Sequence, residues 1–595
     1  MPHFLPITLD EVKRLGWDMV DVVLVTGDAY IDHPAFGTAV IGRTLEAAGW
    51  RVAVIPQPNW RDDLRDFRKF GRPRLFFGVT SGAMDSMVNH YTAARRLRHD
   101  DAYTPGGEAG FRPDRATYVY SRILKQLYPD VPVVMAGIEA SMRRLAHYDY
   151  WDDRLFPSIL ADTPADLLNY GMGEKTTLKI ARLLDEGKGI EACRSLPQVA
   201  YITETIEENK DWEYIELHSY EECMKSKRLE AENYHIIERE SNKIEASCLI
   251  QKHGGRYVVV NPPEPPMTTE EIDASFDLPY MRLPHPKYKK RGAVPAFEMI
   301  KNSVNIHRGC FGGCSFCTIS AHQGKQIASR SERSILAEVS KLAETPGFNG
   351  VITDLGGPSA NMYRMAGSDR RLCSKCARYS CIHPSMCPNL QSDHRPLLEL
   401  YRKVAAVPGV KHVYIGSGIR CDLFQGENHG WEYFREVVVH HVSGRLKVAP
   451  EHTSPVVLGH MRKPAFELFV DTKRRFDDIC RHAGLRYQLI PYFISSHPGC
   501  RLVDMADLAV QMQRMGYRLE QIQDFTPTPM TLSTEMYYTG INPATMEPLY
   551  VARRPEEKQQ QRQMFFYYKR EVQPAIRQSL RNTHLEKYIK LLRLG

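Results

Sequence analysis

The chain has 595 residues, of which 43% are hydrophobic and 25% charged, with a formal net charge of +7. That is ordinary globular composition, enough for roughly two to four domains, and it excludes a disordered or fibrous chain. No run of ~18 apolar residues occurs, so no membrane span is expected. The start, MPHFLPITLDEVKRLGWDMV, lacks an apolar signal core, and a cytoplasmic setting with reduced thiols is the expectation. The mild positive charge permits a nucleic-acid or phosphate partner without demanding one, since no arginine-rich tail or lysine run concentrates it.

The first 200 residues alternate short apolar runs with helical patterns. Strands are expected over residues 21–25, 51–55, 74–79, 131–137 and 167–170, with a helix over 38–48 ended by Gly49. Apolar runs of this length separated by helices predict βαβ units on a parallel sheet, hence an N-terminal Rossmann-like, doubly wound α/β domain over 1–200. Residues 201–295 differ. A charged, helix-prone stretch leads to a strand pair in SCLIQKHGGRYVVVNPP, turned at HGG, and then to a Pro-rich connector. This reads as a linking subdomain.

From Ser303 a second βα series begins. Strands are expected over 304–306, 350–355, 412–417, 445–450, 487–494 and 521–527, with helical patterns between them. Six such units over 296–555 predict a partial (β/α)6 TIM-type barrel. Its chemistry would sit where strands run into βα loops. Residues 556–595 read as a basic helical extension docked on the barrel.

The cysteines sharpen this reading. There are thirteen, and those from Cys310 to Cys387 fall in two tight groups, which in a reducing compartment argues for metal or redox chemistry rather than disulfides. RGCFGGCSFC places Cys310, Cys314 and Cys317 directly after the first barrel strand. Three thiolates can grip a 4Fe-4S cluster that ordinarily takes four, leaving one iron open to a ligand. A zinc or inert thiol site is the competing reading.

CFGGCSFC resembles the CxxxCxxC signature of the radical S-adenosylmethionine (SAM) superfamily, with aromatic Phe316 before the last cysteine. The resemblance implies that the open iron chelates the amino and carboxylate groups of S-adenosylmethionine. One electron then breaks a C–S bond to release a 5′-deoxyadenosyl radical. It also implies a reductant such as flavodoxin or ferredoxin. AGIEASMRRLAHYDYWDD, NIHRGCFGGCSFC, DLGGPSANMY, KVAPEH, YFISSHPG and FTPTPMTLSTEMYYTG resemble YgiQ-type radical SAM proteins over nearly the whole chain. That family brings a fold and cofactors but no substrate.

Further candidates stand at the strand ends. Gly356 and Gly357, with Asp354, resemble the family's glycine motif for the methionine amino group, though a βα turn also uses glycines. Ser417, Arg420 and Asp422 follow the third strand. Arg420 could hold the methionine carboxylate as a bidentate pair, or form a surface ion pair. Glu451 and His452 end the fourth strand and could bind ribose hydroxyls or shuttle protons, or be a buried structural pair. The fifth strand should supply apolar packing and a polar rim at His497. Cys373, Cys376, Cys381 and Cys387 form a second set, within an insertion over 370–390. It could hold zinc, an auxiliary Fe–S cluster or no metal, with His383 as a replacement ligand. The lone cysteines Cys193, Cys223, Cys248, Cys421, Cys480 and Cys500 read as packing residues.

A Rossmann-like domain before a radical barrel resembles cobalamin-dependent members of the superfamily. Their ligating motif would read Asp-x-His-x-x-Gly, whereas Asp32 and His33 are adjacent here. The expectation is therefore a domain that caps the barrel without cobalamin, although binding without a histidine ligand stays open. Two rival functions remain. One is an Fe–S redox or electron-transfer protein that does not cleave SAM. The other is an RNA-modifying radical enzyme, since the barrel resembles that of methylthiotransferases, although no RNA-binding motif is visible.

Overall fold

The order in which strands pair sets the architecture. The structure, a computed structural model, describes residues 3–424, 429–519 and 522–594. A nine-stranded sheet runs in the order Tyr214–Leu217, Cys248–His253, Arg256–Val260, Val199–Thr203, Leu167–Asn169, Val133–Ala136, Phe76–Thr80, Val22–Thr26, Val52–Pro56. The five strands from Leu167–Asn169 to Val52–Pro56 are parallel to one another. Val22–Thr26 is buried along its whole length. Helices cover both faces of such a sheet, which is why its strands read as continuous apolar runs.

Residues 201–295 do not stand apart as a linker. Val199–Thr203 pairs antiparallel with Leu167–Asn169, and the Cys248–His253/Arg256–Val260 hairpin extends the sheet beyond it. The hairpin turns at HGG as expected. Its attachment to the first sheet is a long-range pairing that local pattern does not encode. In the same region, helix Lys227–Ser241 packs on Leu532–Thr539, far along the chain.

Asp32 and His33 serve the fold. Asp32 is fully buried against Arg43, accepting from Nε at 3.1 Å, and His33 Nδ1 accepts the Ala35 N–H at 3.1 Å.

On the six stretches expected as strands in the second half, seven strands form. Ser303–Asn305 pairs in parallel with Asp354–Gly356, and Val351–Ile352 with His412–Val413. Arg445–Glu451 pairs in parallel with Gln488–Ser495, which pairs with Ile522–Asp524. Gln521, expected to open the last strand, lies outside the described residues. Among the described residues no ladder joins His412–Val413 to Arg445–Glu451. Instead His441 Nδ1–H donates to the Val413 carbonyl at 2.7 Å, and Ile415 N–H to the His441 carbonyl at 3.0 Å.

Helices Glu332–Ala343, Arg395–Ala405, Gly430–His440, Phe466–His482 and Leu502–Arg514 intervene. Their apolar faces (Ile335, Leu397, Phe434, Phe476, Met505) meet Val304, Leu355, Val413, Val448 and Phe493 in one core. The C-terminal helices Pro555–Met564, Gln573–Asn582 and Lys587–Leu591 join that core through Met564, Ile576, Leu580 and Tyr588. No helix among the described residues is long and apolar enough to cross a membrane.

Candidate active site

The first cysteine loop leaves the carboxyl end of Ser303–Asn305. It is closed by His307–Arg308 pairing antiparallel with Ala328–Ser329. Gly309 (φ 87°) and Gly313 (φ 60°) take left-handed backbone. A β-carbon on either would sit 2.1 Å from a carbonyl oxygen, that of Gln326 or Tyr379 respectively. Cys310 N–H donates to the Gly324 carbonyl at 3.1 Å, and the Ser320 hydroxyl to the Cys310 carbonyl at 2.8 Å. The thiols of Cys310, Cys314 and Cys317 end half-buried on this loop.

Below the loop, Ser315 Oγ and Ser533 Oγ lie 2.8 Å apart. Ser533 donates to His497 Nε2 at 2.7 Å, while His497 Nδ1–H donates to the Pro498 carbonyl at 2.8 Å. His497, expected at a polar rim, is instead a fully buried anchor beneath the loop.

Arg420 reaches the loop from the end of the third strand. Its Nε and Nη2 donate to the two Asp422 carboxylate oxygens at 3.0 and 2.7 Å, and Nη1 donates to Cys314 Sγ at 3.2 Å. A side chain on Gly312 would collide with that guanidinium: its β-carbon would lie 2.5 Å from Arg420 Nη1 and 3.3 Å from Cys310 Sγ. Arg420 is thus neither a free carboxylate clamp nor a surface pair. Its charge is matched by Asp422 and turned on the thiols. Burial alone would raise the Asp422 carboxyl; the guanidinium outweighs it and holds the group below its ordinary value.

Burial pushes the Cys317 thiol up to about 12, and the neighbouring Cys314 and Cys310 add to this. Burial also raises Cys310, with Arg420 pulling the other way. The free Cys310 and Cys317 thiols are therefore protonated near neutrality, and metal must displace their protons.

The glycine motif is spent on close approach. A β-carbon on Gly356 would meet Ser417 Oγ at 2.9 Å, and one on Gly357 the His307 ring at 2.4 Å. Asp354 accepts the Gly416 and Ser417 N–H groups at 2.9 and 3.1 Å and also takes the Ser417 hydroxyl, tying the second strand to the third.

Glu451 ends the fourth strand beyond a register shift, buried and with φ 69°. Such a backbone costs about 1–3 kcal/mol in a non-glycine residue and persists where the surroundings over-determine it. Burial raises its carboxyl; Lys463, with Nζ 3.7 Å from Glu451 Oε1, and Arg420 oppose the rise. Lys463 also acts on Cys317. No sequence signal distinguishes this lysine.

His452 departs from the group. It is fully buried, its Nδ1 accepts the Ser454 N–H at 3.0 Å, and its Nε2 lies 3.5 Å from Cys500 Sγ and 3.4 Å from Met505 Sδ. Ser454 is on the following turn, while Cys500 and Met505 lie beyond the fifth strand, Met505 on helix Leu502–Arg514, and burial lowers the pKa of His452 to about 3. It is built as a structural histidine.

The second cysteine set docks on the first. Cys381 N–H and the Ser380 hydroxyl donate to the Phe311 carbonyl at 3.0 and 3.2 Å. Buried Lys325 donates to the carbonyls of Cys376 and Arg378 at 3.2 and 2.7 Å. Cys373, Cys376, Cys381 and Cys387 are half-buried, and Asn389 Nδ2 donates to Cys373 Sγ at 3.4 Å. Among the described residues, no three His, Cys, Asp or Glu side chains converge closely enough to hold one metal ion. Neither set is closed on a bare ion. Of the lone cysteines, five are buried, while Cys421 is half-buried beside Asp422.

Comparison with known proteins bears on this arrangement. Residues 4–303 match the radical SAM N-terminal family, and residues 520–589 match a domain of unknown function, DUF3362. A UPF0313 protein of Bacteroides thetaiotaomicron is 57% identical over 571 residues, covering 93% of this chain and 92% of that protein. One from Porphyromonas gingivalis is 56% identical over 591 residues, covering 98% and 93%. Among solved structures, a radical SAM methyltransferase from Kitasatospora setae with cobalamin and a 4Fe-4S cluster bound aligns over 87% of this chain and 77% of that one. The identity is 15% and the TM-score 0.46, a loose likeness. The chain belongs to the UPF0313 family of radical SAM enzymes.

Proposed function

We propose that the six βα units of the second half form a partial barrel whose cysteine loop holds a 4Fe-4S cluster, and that the enzyme cleaves S-adenosylmethionine there to act on a further substrate. Arg420 carries this reading. One guanidinium donates to Cys314 Sγ at 3.2 Å and is fixed by Asp422, so the thiols have a charged partner already in place. A lone structural thiol needs none. A bound cluster would supply one electron, received from a reduced flavodoxin- or ferredoxin-like protein, that splits the C5′–S bond of SAM into methionine and a 5′-deoxyadenosyl radical, which would take a hydrogen atom from a C–H bond of the substrate and leave the radical there.

The chain's own residues position and shield. Cys310, Cys314 and Cys317 would hold the cluster. Arg420 donates to thiolate sulfur, and Asp422 keeps Arg420 aimed. Gly356 and Gly357, packed closely on Ser417 and His307, stand with Ser417 at the strand ends beside the loop, where they would meet the amino-acid end of SAM. Glu451, held by Lys463, offers an acceptor for ribose hydroxyls.

The second set suits a multi-atom Fe–S centre better than one zinc ion, because no three of its thiols converge on a point. Its backbone contact with Phe311 makes it a candidate electron relay.

The test is anaerobic loading with iron and sulfide, reduction by dithionite, and addition of SAM. Equal amounts of methionine and 5′-deoxyadenosine are expected, with neither from Cys314→Ser. A coloured protein that is reduced but yields no nucleoside would make the chain an electron carrier instead.

A further inference from the structure

A cavity of about 430 Å³ lies between the two halves of the molecule, at the carboxyl edge of the parallel strands of the first sheet. Ligands of open α/β sheets bind at this edge, and the volume suits a small-molecule site. One wall is the sheet face where Leu24, Gly78 and Val134 stand side by side in register, with helix Gly37–Ala47 over it. Gly78 is half-buried mid-sheet with no side chain, and a β-carbon there would lie 2.7 Å from Leu24 Cδ2. A glycine inside a strand marks a place where something approaches the backbone closely. The missing side chain leaves a flat apolar slot between sheet and helix.

The opposite wall belongs to the cysteine loop. It includes His307, three residues before Cys310, together with Ile319 and His322 on the helix that follows Cys317. His307 is 1% exposed, and neither of its ring nitrogens has a hydrogen-bond partner. A buried imidazole with both nitrogens unpaired costs free energy unless something else supplies the partners. Burial lowers His307 to about 3 and His322 to about 4, so both rings are neutral. The charged residues lining the cavity are Arg308 and Glu174, and they are paired with each other. Among the described residues lining the cavity, no free cation is available for a phosphate or carboxylate, and a charged ligand would be buried uncompensated.

We infer that this cavity is the substrate site, and that it takes an uncharged, flat, largely apolar ring system whose hydrogen-bonding end meets His307 beside the cysteine loop. The apolar body fills the slot over Gly78, and the polar end pairs with an imidazole nitrogen of His307. This rests on the reading that radical chemistry starts at the Cys310–Cys317 loop, because a substrate atom must lie next to the radical source.

The test uses Nile red, a neutral flat dye, as the probe of the full chain. One dye per chain is expected to bind with a blue-shifted emission, undisplaced by anionic anilinonaphthalene sulfonate. Ile41→Trp, from the covering helix, and Gly78→Val, from the sheet, fill the slot and should each weaken binding about 10- to 100-fold. His307→Phe should weaken it about 3- to 10-fold by removing the polar contact. Ile41 is half-exposed, so its variant keeps the test valid if Gly78→Val fails to fold. Dye that binds Ile41→Trp as tightly as wild type, no saturable binding to wild type, or equal affinity for the anionic dye would each overturn the inference. Formation of 5′-deoxyadenosine by the same wild-type preparation, without dye, decides the underlying function separately.

Discussion

Removing the Asp422 carboxylate is the sharpest test of how the site is held. The Arg420 and Asp422 side chains are only 10% and 11% exposed, and two hydrogen bonds of 3.0 and 2.7 Å join them. Asp422→Ala leaves the guanidinium buried with Cys314 Sγ as its remaining side-chain acceptor. Breaking a buried ion pair by deleting one member costs about 3–5 kcal/mol, because the other charge stays behind unpaired. At about 1.4 kcal/mol per decade, the open population of the protein rises roughly 10²- to 4 × 10³-fold. Replacing both members with apolar groups, Arg420→Met with Asp422→Leu, removes the orphaned charge and should cost far less, about 1–2 kcal/mol. Native-state proteolysis of the cluster-free protein reads the open population directly when cleavage is slow relative to closing. Should Asp422→Ala raise the cleavage rate less than about threefold, or should the double variant cost the sum of its parts, the pair is not the buried, mutually dependent unit described above.

Four further outcomes are expected. Cys373→Ser with Cys376→Ser should lower iron and sulfide per chain while SAM cleavage by the first loop persists; unchanged metal content would remove the second centre. Gly313→Ala meets both a left-handed backbone and the Tyr379 carbonyl 2.1 Å away, so it should cost about 1–3 kcal/mol and lower iron in both centres together, read by metal analysis and thermal midpoint. His497→Leu strips the acceptor from Ser533 and should lower the thermal midpoint by an amount equivalent to about 1–3 kcal/mol, leaving the KM for SAM unmoved. The pH dependence of stability should carry a carboxyl contribution. Burial raises Glu230 from 4.5 to about 7, and burial together with Glu230 raises Glu535 well above its ordinary value. The folded chain thus keeps protons the unfolded chain gives up, so the stability they confer is full below pH 4.5 and drains as the pH climbs through about 7. Glu230→Gln should flatten that decline by about 3 kcal/mol; equal slopes of midpoint against pH from 5 to 8 for both proteins would refute the assignment.

Much of the molecule was legible in the chain. The strand expected over 21–25 is Val22–Thr26 and that over 445–450 is Arg445–Glu451. Runs of Val, Leu and Ile in a two-sided sheet leave little choice of state. Some strands came out shorter or split: 350–355 divides into Val351–Ile352 and Asp354–Gly356, and 412–417 shrinks to His412–Val413. There Asp354 takes the N–H groups of Gly416 and Ser417 with its side chain, so the ladder ends. The thiol loop was legible because the spacing of its cysteines is a local property of the chain.

The sequence by itself determined the types and order of the elements and which cysteines lie close together, because helix and strand periods and loop spacing are set by neighbours in the chain. Tertiary structure alone decided that residues 199–260 extend the first sheet, that His452 and His497 are buried supports, and that Lys463 and Arg420 close on the thiols and Glu451. Those facts join residues tens to hundreds of positions apart. Whether a polar side chain ends up in a core or at a site depends on which distant surface covers it.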